Sequence, residues 1–239
     1  MKLLLDLLFP RFCINCQIEG AWLCKKCAQL IDIIHAETCP QCEEIHKNNE
    51  FCYNCKRKLQ QKSLPGIVWA VNYANPLAQK LIHYFKYKFI QETSQDLINL
   101  LLKKIDLMPI IQKKIQQSIS VFLPVPLAKK RLRWRGFNQA EVLARTLCKS
   151  LKKDEQCIQT GILKKIKNTK PQAELKKLAR KKNVQGAFLA EHNPVLKNKI
   201  VFLIDDVATT FSTLLEAHKA LIYSNNKPKE VWGLVIARG

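Results

Sequence analysis

The sequence predicts an α/β protein with a mostly parallel sheet flanked by helices, preceded by a small N-terminal double zinc-ribbon module. Two observations support this prediction. After residue 66, apolar runs typical of buried strands alternate with helical patterns, which is the arrangement of a parallel sheet covered on both faces. Before residue 56, cysteines recur in CxxC pairs. Because 239 residues suffice for one α/β domain and an accessory module, we expect two domains, residues 1–60 and 67–239.

Eight of the ten cysteines form four CxxC pairs, namely Cys13 and Cys16, Cys24 and Cys27, Cys39 and Cys42, and Cys52 and Cys55. One CxxC turn directs two thiolates at one metal, and two such turns complete the tetrahedral S4 site that suits Zn²⁺. Eight ligands therefore predict two structural zinc ions. Disulfides would need an export route, and thioredoxin-like redox pairs would not come four in a row.

Two groupings of the cysteine pairs are compatible with their spacing. Sequential ribbons would join pairs 13/16 with 24/27 and 39/42 with 52/55, whereas a cross-braced arrangement would join 13/16 with 39/42 and 24/27 with 52/55. The short intervals favour the sequential grouping, because local hairpins can close it. Since roughly 60 residues with few large apolar side chains make a thin core, we expect the metal to supply much of the folding energy.

The remaining elements follow a polar linker, 56-KRKLQQKSLPG-66, which ends in Pro-Gly. Apolar runs predict strands at 67–74, 119–127, 199–207 and 230–238. Apolar residues spaced three and four apart predict helices at 76–89, 95–105, 137–151, 173–184 and 211–224. Cys148 lies in one of these helical patterns, away from Cys157, and is expected to be a small buried hydrophobe.

The formal net charge of +21 favours polyanionic partners. The excess is concentrated, because residues 129–182 contain 18 Lys and Arg against 4 Asp and Glu. The alternative is a lysine-rich surface that only keeps the protein soluble, and the lysine pairs 164/165, 176/177 and 181/182 are expected to form solvated helix faces. No run approaches the roughly 20 apolar residues of a membrane span, and the N terminus lacks a cleavage site, so we expect a cytoplasmic protein.

The segment 200-IVFLIDDVATTFSTLLEAHKAL-221 places two carboxylates, Asp205 and Asp206, at the end of a buried strand. In parallel sheets, ligands bind beyond the carboxyl ends of the strands. Hydroxyl residues then enter a helix, whose N-terminal N–H groups and dipole favour a phosphate. A carboxylate pair can accept hydrogen bonds from a vicinal diol, so the segment predicts a site for a 5-phosphorylated ribose. The simpler alternative is an Asp-Asp turn that caps the helix.

The stretch VFLIDDVATTFSTL resembles the phosphoribosyl-pyrophosphate (PRPP) signature of type I phosphoribosyltransferases. This resemblance implies a type I phosphoribosyltransferase-like fold that binds PRPP with Mg²⁺. It also implies that Asp205 and Asp206 hold the ribose hydroxyls, and that the loop after them wraps the 5-phosphate. The loop residues are Ala208, Thr209, Thr210, Phe211, Ser212 and Thr213.

More specifically, the whole chain is similar to the ComF family. The similarity rests on the CxxC start, 83-HYFKYKF-89, 124-PVPLAKKRLRWRGFNQA-140 and 169-TKPQAELKKLARKKNVQGAF-188. It implies a cytoplasmic protein that handles incoming single-stranded DNA in natural transformation, near a helicase-like partner, ComFA, where a genome has one. The chain departs from the family at two glycines, which are replaced by Phe89 and Phe211. A positive φ at Phe211 would cost about 1–3 kcal/mol, and the ring is expected to narrow the phosphate cradle.

The sequence leaves two functions open. The first is a single-stranded DNA-binding protein, in which Trp134 and Phe137, set among arginines, offer stacking surfaces. The alternative is an active phosphoribosyltransferase that uses Mg-PRPP on an unknown acceptor. Its pyrophosphate contacts would be Arg131, Arg133 and Arg135. Because no residue stands out as a base for an acceptor, the sequence supports a site without naming a reaction.

Overall fold

The computed structural model describes residues 10–59, 64–88, 90–167 and 184–239. Its centre is a four-stranded, wholly parallel sheet, which confirms the predicted fold class. Its strands in chain order are β1 (Ile67–Asn72), β2 (Ser120–Pro124), β5 (Ile200–Ala208) and β6 (Glu230–Arg238). A separate antiparallel hairpin joins β3 (Leu163–Lys165) to β4 (Phe188–Ala190). The order across the main sheet is β1-β6-β5-β2.

Helices connect the strands and cover both faces of the sheet. Two short ones lie in the N-terminal part, α1 (Lys25–Ala28) and α2 (Tyr53–Leu59). The others are α3 (Pro76–Tyr87), α4 (Ser94–Asp106), α5 (Pro109–Gln116), α6 (Lys129–Arg135), α7 (Gln139–Ser150) and α8 (Ser212–Tyr223). All four predicted strands are confirmed, as are the helices at 76–89, 95–105, 137–151 and 211–224. The predicted helix at 173–184 lies almost wholly outside the described residues.

The sequence pattern missed α1, α2, α5, α6 and the β3–β4 hairpin, and α2 includes residues 56–59 of the predicted linker. The hairpin corrects the expectation for one lysine pair, because Lys164 and Lys165 lie in a strand rather than on a helix face. Adjacent strand residues point to opposite faces. Lys164 is accordingly exposed, whereas Lys165 is half-buried and lies over the ring of Phe188. A strand of three residues is too short to show a periodic pattern of apolar side chains.

The core has two halves, one on each face of the sheet, because strand side chains alternate. On β5, Phe202 and Ile204 face α3, α4 and α7, whereas Val201 and Leu203 face α8 and the hairpin. Each cysteine module joins a different half. Buried residues of the first module, such as Cys13 and Cys27, pack with the α3–α4 side, and those of the second pack on the other face.

Lys104 of α4 is a fully buried cation that fastens the N-terminal part to the sheet domain. Its Nζ donates to the carbonyl oxygens of Ile34, His35 and Ala36 at 2.7, 3.5 and 3.4 Å. Burial lowers the pKa of Lys104, and the charge of Glu37 partly opposes that shift. The lysine therefore holds three carbonyls of the segment that joins the two cysteine modules.

Replacing Lys104 by methionine is expected to lower the free energy of unfolding by about 1–3 kcal/mol, because buried carbonyls lose their donor. The matched control is Lys103→Met, since Lys103 is the exposed neighbour on the same helix. Chemical denaturation of both variants measures the difference. Equal stability of the two variants would show that the buried ammonium contributes nothing.

Across the described ranges, no helix combines the length and the apolar character that crossing a membrane requires.

Candidate functional site

The eight predicted ligand cysteines lie in two groups of four. The first group is Cys13, Cys16, Cys24 and Cys27, and the second is Cys39, Cys42, Cys52 and Cys55. Within each group, all four Sγ atoms lie within 4.8 Å of one another. The structure thus brings the pairs together in the sequential grouping and not in the cross-braced one.

The sulfur spacing fits a tetrahedral metal ion. The Sγ atoms of Cys16 and Cys24 are 3.7 Å apart, and those of Cys42 and Cys52 are 3.8 Å apart. Four sulfurs at a Zn–S distance of about 2.3 Å would be separated by about 3.8 Å. This agreement supports one structural zinc ion in each group.

Backbone donors repeat between the two modules. The N–H of Cys24 donates to Sγ of Cys13 at 3.5 Å, and the N–H of Cys52 donates to Sγ of Cys39 at 3.4 Å. Such hydrogen bonds orient the ligand sulfurs and stabilise negative charge on them. The two modules are therefore built on the same plan, as two copies of a four-cysteine knuckle.

The remaining two cysteines also meet, which the sequence did not predict. Cys148 is fully buried, as expected, but its Sγ lies 3.0 Å from Sγ of Cys157. The short 3₁₀ helix at Glu155–Cys157 brings the second thiol back against α7. Neither residue belongs to a four-cysteine group.

The two carboxylates lie near the carboxyl end of β5, which is one of the two inner strands of the sheet. Lys86, in the last turn of α3, reaches Asp206 with an Nζ–Oδ1 distance of 2.8 Å. Both members of this ion pair are largely buried. Each carboxylate also accepts the backbone N–H of the next residue.

Asp205 lies close to a second lysine, from the opposite face of the sheet. Burial lowers the pKa of Lys165 to about 8, the charge of Arg131 lowers it further, and the charge of Asp205 opposes both. Arg131 on α6, Lys165 on β3 and Asp205 on β5 therefore interact electrostatically. Nothing in the sequence distinguishes Lys165 from its exposed neighbour, and Lys86 lies in 83-HYFKYKF-89, one of the segments that carry the family resemblance.

Asp205 is a poor acid at this position. Burial and then the neighbouring charge of Asp206 raise the pKa of Asp205, Lys86 and Lys165 act in the other direction, and the net pKa is about 7. Perturbed carboxylates of this kind cluster at functional sites. Asp205 is thus partly protonated near neutral pH and can respond to a cationic or hydroxyl-bearing ligand.

The loop after the carboxylates runs from Ala208 into α8. Phe211, which precedes the first residue of α8, has φ 54° and ψ 5°, the left-handed conformation that favours glycine. Successive right- and left-handed residues turn backbone N–H groups toward one concavity, which suits an anion. The hydroxyls of Thr210 and Ser212 lie 2.8 Å apart across this turn. Substitution of glycine by phenylalanine has therefore not removed the left-handed turn.

The expectation that the Phe211 ring narrows the cradle is wrong, because the ring turns into the core. Phe211 is only 3% exposed, and its ring centroid lies 5.5 Å from that of Trp69. Burying a phenyl ring stabilises a fold by about 1.5–3 kcal/mol, which offsets the roughly 1–3 kcal/mol of a left-handed non-glycine residue. The second departure from the family, Phe89, lies outside the described residues.

Arg238 links this buried ring to the second cysteine module. Its guanidinium lies over both aromatic rings, 4.9 Å from the centroid of Trp69 and 5.3 Å from that of Phe211. The same group donates to Oε1 of Glu43 at 2.5 Å and to the carbonyl of Pro40 at 3.4 Å. Because Glu43 directly follows the ligand Cys42, Arg238 connects the loop that contains Phe211 to the second four-cysteine group.

The RGFNQ block forms the junction between α6 and α7. Gly136 ends α6 with φ 76°, and its N–H donates to the carbonyl of Leu132 at 2.8 Å. Asn138 begins α7 by accepting from the N–H of Ala140 and also donates to the carbonyl of Val125. The glycine and asparagine of this block therefore have structural roles that hold α6 at the end of β2.

The three predicted pyrophosphate contacts lie on α6 but differ in surroundings. Arg131 is half-buried near Lys165, and Arg133 is exposed. Arg135 donates to Oε1 of Gln139 at 2.7 Å and lies over the ring of Tyr87. The structure therefore brings Arg131 to the carboxylate site, and the pyrophosphate roles of all three arginines stay predictions.

Comparison with known proteins places the chain in a family. A family model described as a double zinc ribbon domain matches residues 4–56. Competence protein F of Haemophilus influenzae is 32% identical to this chain, over 94% of the chain and 96% of the relative. The chain belongs to the competence protein F (ComF) family. The DNA utilization protein YhgH of Escherichia coli is 28% identical over the same shares, and competence protein ComFC of Bacillus subtilis is 24% identical over 84% of this chain and 78% of the relative.

The match to the double zinc ribbon model agrees with the two cysteine groups. Its range ends one residue after Cys55, the last ligand of the second group. Together, the ligand type, the sulfur spacing and the family match support two structural zinc ions in this ComF protein. The predicted family membership is confirmed.

Proposed function

We propose that this ComF protein binds single-stranded DNA and assists DNA uptake in natural transformation. The observation that carries this proposal is the basic helix α6, in which five of seven residues are Lys or Arg, on a chain similar to proteins named for competence and DNA utilization. Phosphates are attracted by such a cluster whatever the DNA sequence. The predicted cytoplasmic location and the ComFA-like helicase partner agree with this role and stay predictions.

We further propose that the end of β5 is a phosphoribosyl-binding site for PRPP or a related phosphorylated ribose. Asp205 and Asp206 would accept the ribose hydroxyls, and the left-handed turn at Phe211 would direct N–H groups to the 5-phosphate. Lys86 and Lys165 supply the positive charge for the remaining phosphates.

Mg²⁺ fits this site through Asp205, because Asp206 already binds Lys86. When bound with PRPP, the ion would supply positive charge to the diphosphate. A cation held at Asp205 would favour the ionised form of this carboxylate, as a nearby opposite charge does, and the proton would leave to solvent.

An active phosphoribosyltransferase is the second candidate function. It is favoured by the interaction of Arg131 with Lys165, which concentrates positive charge where a departing pyrophosphate would need it. Pyrophosphate release from Mg-PRPP on addition of a nucleobase would identify the enzyme. Absence of release, with PRPP still bound, would assign the site to recognition.

The domain division at 1–60 and 67–239 is also a proposal. The two cysteine modules pack on both faces of the sheet and share its core, so we expect one cooperative unfolding transition for the whole chain. The boundary therefore separates two structural modules rather than two independent folding units.

The DNA proposal predicts a steep salt dependence. Five cations contacting single-stranded DNA give a slope of log affinity against log salt of about −3.5, which weakens binding about 100-fold between 50 and 200 mM salt. Replacing both Lys129 and Lys130 with glutamine should reduce the slope by about 1.4. The control is the same change at Lys25 and Lys26, two exposed lysines of the first module. Fluorescence anisotropy of a labelled oligonucleotide measures both, and no binding at low salt would contradict the proposal.

A further inference from the structure

The end of α3 and the end of α6 carry two exposed aromatic side chains that face each other. Tyr87 is the last residue of α3, and Trp134 is the last but one of α6. Their ring centroids lie 6.1 Å apart with an interplanar angle of 58°. Trp134 is 62% exposed and Tyr87 is 45% exposed. Single exposed rings are common on protein surfaces, but two that lie against each other form a local apolar patch, which is the kind of surface that binds partners.

Arg135 holds the two rings together. Its guanidinium carbon lies 5.2 Å from the Tyr87 centroid and 5.8 Å from the Trp134 centroid. The ring of His83, one turn earlier on α3, lies 4.8 Å from that of Tyr87. We call Tyr87, Trp134 and Arg135 the aromatic clamp. The clamp is thus fixed from both helices rather than formed by mobile side chains.

Phe137 does not belong to this surface, although the sequence suggested it as a stacking residue. Its ring packs at 5.8 Å from that of Phe85, a fully buried residue of α3. It therefore anchors the α6–α7 junction in the core. The exposed aromatic partner of Trp134 is Tyr87, which the sequence places 47 residues earlier.

Two buried donors lie at the base of the clamp. Nε of Arg135 and Nε2 of Gln139 are inaccessible to solvent and have no hydrogen-bond acceptor among the described residues. Gln139 is only 2% exposed, and its other amide atom is occupied by Arg135. Buried donors without acceptors are costly, but these two are closed off from solvent and therefore belong to the support of Arg135 rather than to the ligand-binding surface.

Charge around the clamp favours an anion over an apolar partner. Trp134 lies within the KKRLRWR helix, which carries five cations and no acidic residue. Tyr87 directly follows Lys86, the residue that binds Asp206. The clamp therefore adjoins both the basic helix and the carboxylate site. A ligand that fits must offer flat rings and negative charge together.

We propose that the aromatic clamp stacks an unpaired base of single-stranded DNA, so that Trp134 and Tyr87 make this protein distinguish single strands from duplex. The inference rests on the proposed DNA binding and names its mode. A base in a single strand can expose its faces, whereas base stacking covers them in a duplex. The phosphates on either side of that base would meet the cations of α6.

The test compares oligonucleotides of equal length and charge, one of thymidines and one in which the central residues are abasic. Stacking contributes about 1–3 kcal/mol per base, which corresponds to about 5- to 150-fold in affinity. The wild-type protein should therefore bind the thymidine strand at least about 5-fold more tightly than the abasic strand. Binding to a duplex, which depends on its phosphates and not on stacking, should be unchanged by Trp134→Leu.

Three variants assign the difference to the clamp. Trp134→Leu should remove the preference for bases, Trp134→Phe should retain most of it, and the control Tyr223→Leu should leave it unchanged. Tyr223 is 82% exposed and is the last residue of α8, which carries no part of the clamp. Both residues are exposed, so we expect each variant to fold, and thermal melts verify this.

Each outcome bears on one claim. Equal binding of thymidine and abasic strands would overturn the clamp while leaving electrostatic DNA binding intact. Equal loss of base preference in the Trp134→Leu and Tyr223→Leu variants would overturn it as well. Failure of every strand to bind at low salt would instead contradict the proposed function. A Trp134→Leu variant with normal phosphate attraction but no base preference would support the clamp.

Discussion

Replacing Cys55 by serine is expected to reduce the zinc content from about two ions per chain to about one and to unfold the second cysteine knuckle. The free energy of zinc binding to structural S4 or mixed sites is about 10–16 kcal/mol, which matches or exceeds the roughly 5–15 kcal/mol stability of a whole domain. Cys55 is also buried against the sheet, in the same half of the core as Trp69. The loss should therefore extend beyond the knuckle.

Elemental analysis and thermal unfolding of the purified variant measure these effects. Cys148→Ser is the matched control, because Cys148 is equally buried but belongs to neither four-cysteine group. The control should retain two zinc ions. Two ions in the Cys55→Ser protein, or one in the control, would contradict the assignment of ligands.

The sheet could be predicted from the sequence because its strands are long apolar runs. Residues 200–204 and 231–237 are buried almost without exception, and such runs between helical patterns indicate parallel strands. The strand order could not be predicted, because crossovers join parallel strands and no local sequence pattern shows which strand each one will lie beside. The cysteine ligands were predictable for a different reason: metal coordination fixes the spacing of CxxC pairs.

The candidate site was predictable only where one segment carries it. Asp205 and Asp206 and their loop lie within a single stretch of chain, so the pattern of strand, acids and hydroxyls was visible. Lys86 and Lys165 reach the same carboxylates from α3 and β3. Their role depends on which face of the sheet each element covers. A lysine in a strongly basic chain gives no other sign of its partner.

Phe211 shows how tertiary packing can override a local rule. From sequence, a bulky residue at a glycine position argued against an open phosphate loop. In the fold, Trp69 and Arg238 enclose the ring on the core side. Both partners are distant in sequence, so no local pattern could indicate that the ring would be buried rather than placed in the loop.

Mg-PRPP is expected to raise the free energy of unfolding of the wild-type protein by about 2.7 kcal/mol at a concentration of 100 times Kd. The double variant Asp205→Asn, Asp206→Asn should lose this stabilisation, because amides accept hydroxyl hydrogen bonds more weakly than carboxylates. Asparagine is chosen over alanine so that Lys86 keeps an oxygen acceptor. Asp32→Asn is the control, since Asp32 is an exposed acid of the first module. Thermal melts with and without Mg-PRPP measure the shift.

The pH dependence of that shift tests the carboxylate itself. With a pKa of about 7 in the folded protein, Asp205 is largely protonated at pH 6 and ionised at pH 8. Without ligand, the folded state keeps a proton between about pH 4 and pH 7 that the unfolded state has already released. The free energy of unfolding therefore falls as pH rises through this range. Mg-PRPP should select the ionised form and stabilise more at pH 8 than at pH 6. A shift that is equal at both pH values, or that persists in the double variant, would mean that the ligand binds without these carboxylates.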